Sequence, residues 1–151
     1  HVMIRCEEAA PWNLPQRVMS VCARMGTYKI ECGLLPEKNG DETVKTWLPK
    51  EQSVNKEEGS LDSAEVRIFM RTEGGVTRRK VHGRGWAAND QELMGEIAGA
   101  VEEMKKQGKA DALILIDSLD DVSYSQVFKL VKAVQEKKLG PIGFASPVED
   151  R

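Results

Sequence analysis

Cysteine, histidine, aromatic residues and long apolar runs are all scarce in this chain. The three cysteines among 151 residues, Cys6, Cys22 and Cys32, all fall within the first 32 positions, and none has a CxxC spacing. An odd count without paired spacing argues against a disulfide framework and against a zinc site. Cys6 and Cys32 are expected on neighbouring strands and Cys22 on a helix packed over them, as small apolar core residues. A single Cys6–Cys32 bridge is the alternative in an oxidising compartment. Only one histidine, His82, is internal. No serine, cysteine or carboxylate motif stands at catalytic spacing from it, so a base role has no support. No apolar run approaches the roughly 18 to 20 residues that a membrane helix needs. The chain begins at His1 rather than Met and reads as a fragment or processed product, so a membrane anchor outside these residues is compatible with the reading. An excess of one charge is missing too: 22 basic against 24 acidic side chains give a net charge of −2. Nucleic-acid binding would call for a strongly basic face.

What is there is the composition of a folded chain, 40% apolar and 30% charged. Residues 2 to 6 read as a strand. Pro11 and Trp12 open a helix that runs to about Met25, with Leu14, Val18, Val21, Cys22 and Met25 at spacings of three and four and Gly26 as its stop. Tyr28 to Leu34 returns as a strand. Asn39 to Asp41 marks a turn, and Glu42 to Leu48 suits one more strand. Residues 50 to 63 are polar and aperiodic, the one clear linker. This divides the chain into 1–49, the linker, and 64–151.

The second region opens with alternation over Ala64 to Thr72, a hairpin turn at Glu73-Gly74-Gly75, and a partner strand from Val76 to His82. Gly83-Arg84-Gly85 is a further turn. Asn89 or Asp90 caps a helix whose apolar stripe is Leu93, Met94, Ile97, Ala98, Val101 and Met104. A buried strand at 111–117, an amphipathic helix at 123–138 and a strand at 141–146 complete the order β-β-α-β-α-β. The fold class expected is α+β: a two-layer domain with both helices on one face of a mixed sheet, preceded by a partial β-α-β repeat. The repeat is visible directly. A gap-free shift of 112 residues lays Ile4 on Ile116, Trp12 on Tyr124, Val18 on Leu130, Cys22 on Val134 and Ile30 on Ile142.

The Gly74-Gly75 hairpin, Asp90-Gln91-Glu92-Leu93 at a helix start, Leu115-Ile116-Asp117 with Val122-Ser123-Tyr124, and the final strand Pro141 to Ser146 follow one another in a set order and spacing. In these features residues 64 to 146 resemble the periplasmic domain of the ExbD/TolR biopolymer-transport family. Two departures are visible: Ile116 replaces the family's Ala before the Asp, and Lys138 stands where the family usually has Gly. Residues 2 to 35 resemble only the C-terminal half of that domain, with Arg5 in place of the signature Asp and Trp12 in place of the Tyr. The resemblance implies a periplasmic location and an inner-membrane anchor helix that is absent from this chain. It also implies an ExbB/TolQ-like channel protein and a TonB/TolA-like protein as partners. Peptidoglycan is a further candidate. The family's proton-carrying Asp lies in the membrane helix, so the expectation here is recognition and assembly without catalysis.

The partner-binding candidates are Arg78, Arg79, Lys80, Asp117 and Tyr124. Arg78 to Lys80 form the only dense basic cluster, suited to an anionic glycan or an acidic segment, or else to a charged edge strand that resists aggregation. Asp117 ends a buried strand, where a carboxylate can anchor a partner or cap the amides of the next loop. Tyr124 and Trp12 can pin helix starts onto the sheet. Gly83-Arg84-Gly85 lacks the lysine of a phosphate loop, and Asp120-Asp121 lacks further oxygen ligands, so no cofactor or metal is expected. Strand addition at a free sheet edge is one expected mode of recognition. The two copies can also pair within the chain, in place of a homodimer. The alternative reading is a small ferredoxin-like domain that binds a ligand or nucleic acid. It requires outward aromatics on central strands, for which Phe69 and Phe144 are the candidates and no basic sheet face is expected.

Overall fold

A computed structural model describes residues 2–27, 29–35, 43–47, 65–109 and 112–145. The turn expected at Asn39 to Asp41 and the linker at 50–63 lie outside these residues. The elements are β1 (Val2–Glu7), α1 (Asn13–Arg24), β2 (Lys29–Leu35), β3 (Val44–Trp47), β4 (Glu65–Glu73), β5 (Val76–Val81), α2 (Asp90–Lys106), β6 (Leu113–Ser118), α3 (Tyr124–Glu136) and β7 (Ile142–Phe144). The fold is a two-layer α+β arrangement. The strands run in the order β1-β2-β3-β7-β6-β4-β5, in two mixed halves joined where Trp47 of β3 meets Gly143 of β7.

Period-two alternation sorts the strand side chains onto two faces. Val66, Ile68 and Met70 of β4 stand opposite Ile114, Ile116 and Ser118 of β6, and all six are buried. Ile4 of β1 pairs with Cys32 of β2 on the same face. One apolar cluster joins the apolar residues among these to Met19 of α1, Ile97 of α2 and Val131 of α3, so α1, α2 and α3 share that face. The β6-α3-β7 connection, which the sequence leaves open, is a parallel crossover. Gly74 and Gly75, at φ 58° and 79°, make the two-residue hairpin turn that a right-handed strand twist favours. Asn89 caps α2, accepting from the Glu92 amide at 2.8 Å while the Glu92 carboxylate accepts from the Ala88 amide at 2.7 Å.

One expectation is overturned on α1. Of the expected stripe, Cys22 is buried, but Leu14, Val18, Val21 and Met25 are 49%, 47%, 52% and 78% exposed. Pro15, Gln16 and Met19 join Cys22 in facing the core. Helical spacing identifies a stripe but not which of two neighbouring stripes meets the sheet.

The two strand–helix–strand units meet in a reciprocal contact. The Trp12 amide donates to the Val122 carbonyl at 2.8 Å, and the Tyr124 amide donates to the Ala10 carbonyl at 2.7 Å. Asn13 donates to Asp120 at 3.4 Å and Ser125 to Glu8 at 3.0 Å, and Pro11 and Ser123 form a bridge between these pairs. Each bond maps onto its partner under the same 112-residue shift. The side chains exchange in the same way. The Tyr124 hydroxyl donates to the Gly33 carbonyl of β2 at 2.9 Å. The Trp12 ring lies 4.9 Å from Phe144 of β7 and is stacked 6.4 Å from Tyr124. β1 and β2 run opposite to β6 and β7 across β3, as a local twofold axis through the sheet requires. All three cysteines are free.

Both halves also end their helices alike. Thr27 donates to Cys22 at 2.8 Å behind Gly26, and Leu139 donates to Val134 at 3.3 Å behind Lys138. This six-to-one bond needs a left-handed residue just past the helix. Gly26 takes φ 78° without strain, whereas Lys138 at φ 51° is the one non-glycine with positive φ among the described residues. Lys138→Gly is therefore expected to stabilise the protein by about 1 kcal/mol, read as a higher denaturant midpoint at unchanged slope. Burial next to the crossing pushes the Cys32 thiol from 9.0 up to about 12 and raises the Tyr124 phenol as well. Unfolding releases both acids to their ordinary values, so their contribution is complete below pH 9 and is lost as pH rises. The Cys32 part should fade at up to roughly 1.4 kcal/mol per pH unit between 9 and 12. Chemical denaturation across that window, compared with Cys32→Ala, measures it.

Candidate functional site

The side chains that alternate away from the helices form the open face. Arg71 of β4 stands opposite Arg78 of β5, and Phe69 stands between Lys80 of β5 and Asp117 of β6. The 82–89 loop brings Trp86 to the same place. It is held by three backbone bonds, one to β4 (His82 to Arg67 at 2.8 Å) and two to β5 (Arg84 to Val81 at 2.9 Å and Ala87 to Arg79 at 2.9 Å). The Trp86 ring lies 4.3 Å from the Arg71 guanidinium and 4.8 Å from the Lys80 ammonium. His82 packs on Phe69 at 5.8 Å. Between them is a hollow of about 420 Å³, lined by Phe69, Arg71, Lys80, Trp86, Asp117 and Leu119 among others. Arg71 pairs through Nη2 with Glu73 at 2.9 Å, its Nε is buried without a hydrogen-bond partner among the described residues, and Lys80 makes no ion pair among them. Two cations beside an apolar wall suit an anionic group that carries an apolar or flat portion.

The structure divides the sequence candidates. Lys80 and Asp117 meet at the hollow, and Arg78 lies beside it, 50% exposed and 3.5 Å from Glu73. Arg79 points to the helix side and pairs with Asp90 at the start of α2, so the expected basic cluster is split by strand alternation. Asp117 is 4% exposed, with Arg67 Nη1 at 3.4 Å from its carboxylate. Tyr124 is 1% exposed in the core, so it positions α3 and cannot touch a partner. Of the two candidate aromatics, Phe144 faces inward against Trp12. Phe69 faces outward and does have basic company in Arg71 and Lys80.

Trp86 and Arg71 are the site residues that sequence reasoning missed. The available signals were a tryptophan outside any amphipathic stripe and an arginine two positions from Phe69, on the same strand face. The loop also changes the edge argument. The Arg79 and Val81 carbonyls, which point away from β4, are taken by Ala87 and Arg84. Edge strand β5 is thus partly closed to strand addition, and among the described residues β1 is the sheet's other edge.

Among the described residues no group of acidic, histidine and cysteine side chains could hold a metal, and no helix is long and apolar enough to cross a membrane. No protein-family model matches the chain, and neither a curated protein nor a solved structure does.

The buried carboxylate and the exposed arginine should respond differently to substitution. Arg67→Ala is expected to destabilise by about 1–2 kcal/mol because it removes a charged partner from buried Asp117. Arg78→Ala, on the exposed face, should stay within about 0.5 kcal/mol. Urea melts of the two variants check this.

Proposed function

We propose that this chain is a non-catalytic periplasmic domain of a proton-motive-force-coupled transport protein of ExbD/TolR type, which works by binding partners and assembling with them. The observation that carries the reading is the reciprocal contact between the two strand–helix–strand units. The element on which the resemblance rests occurs twice, at one constant offset, and the two occurrences bond to each other through equivalent atoms. Such an arrangement stands in for a symmetric dimer within one polypeptide. The membrane anchor, the ExbB/TolQ-like channel protein and the TonB/TolA-like partner belong to this proposal. Peptidoglycan is a further candidate ligand.

Within that reading the open-face hollow receives an acidic group of the partner. Lys80 and Arg71 supply charge, and Phe69, Trp86 and Leu119 supply apolar contact. Arg78 extends the positive side along the edge. No residue of the hollow is assigned a catalytic role.

Phe69 and Trp86 beside two cations also favour a second reading, a binder of single-stranded nucleic acid, since bases stack on exposed aromatics. Against it, Arg71 and Lys80 already lie over the Trp86 ring, and the overall charge of −2 gives little steering towards phosphates.

The test is membrane fractionation and co-purification of the full-length gene product. Recovery in the inner-membrane fraction together with an ExbB/TolQ-like channel protein is expected, and Lys80→Glu should weaken capture of the TonB/TolA-like partner about tenfold while leaving the channel association intact. A cytosolic product without the channel protein would sink the reading. Fluorescence anisotropy with a single-stranded oligonucleotide separates the second reading, which requires saturable, salt-sensitive binding that Trp86→Ala abolishes.

A further inference from the structure

The local twofold supplies an internal comparison for α1. Under the 112-residue shift the exposed residues Leu14, Val18, Val21 and Met25 correspond to Gln126, Leu130, Ala133 and Lys137 of the second unit. Leu130 is the one large apolar residue among these counterparts, and it is buried. At the other three positions the second unit has a polar, a small and a charged side chain. The fold therefore does not require Leu14, Val21 or Met25 to be apolar, yet all four residues of the α1 stripe are large and exposed. Exposed apolar side chains gathered on one element, rather than scattered, mark a contact surface.

Spacing and charge narrow down what fits that surface. From Leu14 the steps are four, three and four residues, the alternation of d and a positions in a heptad. The strip is narrow and holds no aromatic residue. A helix lying in a bilayer interface needs a broader apolar face, so the pattern favours a second helix. In the same frame Arg17 and Arg24 both fall at g, the position that meets a partner helix's charged residues. Both are exposed, and neither side chain has a partner among the described residues. The e positions, Pro15 and Cys22, are buried, so charge borders the seam on one side only. No acidic residue occurs from 9 to 30, although 24 of the 151 residues are acidic.

We infer that the exposed face of α1 docks an acidic amphipathic helix of another protein. Its apolar side chains lie on Leu14, Val18, Val21 and Met25, and its carboxylates meet Arg17 and Arg24. A second copy of α1 does not fit. Antiparallel pairing about a twofold would set Arg17 against the other copy's Arg24, a like-charge contact that disfavours the pair. Parallel pairing would bring the g arginines to Pro15 and Cys22, which are buried. Neither α2 nor α3 can supply the occupant, since neither has an exposed large apolar side chain. The seat lies on the helix side of the sheet, across from Arg71 and Lys80, and is separate from the open-face hollow.

Two designed amphipathic peptides test this by fluorescence anisotropy against the 151-residue chain. Both carry Leu at a and d; one carries Glu at e and g, the other Lys. The Glu peptide should bind saturably and about tenfold or more tighter than the Lys peptide. Arg17→Glu combined with Arg24→Glu should reverse that preference, and Val21→Asp should abolish binding of both peptides. Melting temperatures should stay unchanged in these variants, because all three side chains are exposed. No saturable binding, equal binding of the two peptides, or a preference that survives the charge reversal overturns the inference. Loss of binding in Lys80→Glu also overturns it, by assigning the peptide to the hollow. So does self-association of the chain, or sedimentation with phosphatidylglycerol vesicles, that Val21→Asp abolishes, because a second copy or a bilayer would then be the occupant. None of these readouts depends on membrane location or on a channel protein, so they stand apart from the transport reading.

Discussion

The hydrogen-bonded crossing of the two helix entrances is the constraint on which the rest of the molecule hangs. Trp12 and Tyr124 each leave their own unit to bury an aromatic ring over the other unit's second strand, and the amides beside them exchange bonds across the axis. Trp12, Val122 and Tyr124 at the centre of the crossing are buried, and an unpaired backbone donor there would cost about as much as a lost hydrogen bond. The strand junction between the halves is slender by comparison, a single pairing of Trp47 with Gly143. The helix layer therefore does much of the joining, and the continuous sheet depends on it.

The same crossing explains why the two faces of the sheet have different fates. One face is consumed by the helices and by the exchanged aromatics. The other is left for charged and aromatic side chains, and the 82–89 loop folds back over β5 to add Trp86 to it. A loop that closes a strand edge with backbone bonds also removes a site for unwanted pairing. Recognition is thereby moved from the β5 edge to the open face, around Lys80 and Arg71.

Much of the fold was legible from residue order. Alternation in Val66, Ile68 and Met70, the paired glycines at 74 and 75, the cap at Asn89 and the helix stop at Gly26 each report a local backbone requirement. Even the departure at Lys138 was visible, and it occupies the left-handed position that Gly26 fills in the other unit. The site was less legible. Arg78, Arg79 and Lys80 are adjacent in sequence, yet a strand sends the middle one to the opposite face. Tyr124 was a fair candidate for contact with a partner until its burial in the other unit removed it.

By itself the sequence determined the kinds and order of the elements, their turns and caps, and the 112-residue correspondence between the two units, because all of these depend on near neighbours or on repeated spacing. Tertiary structure alone decided which stripe of α1 meets the sheet, that Trp86 joins Arg71, Lys80 and Asp117 in one hollow, and that the two units clasp each other. Those outcomes turn on contacts between residues far apart in the chain. The free energy of burying one surface rather than another is settled only once every element has competed for the same core.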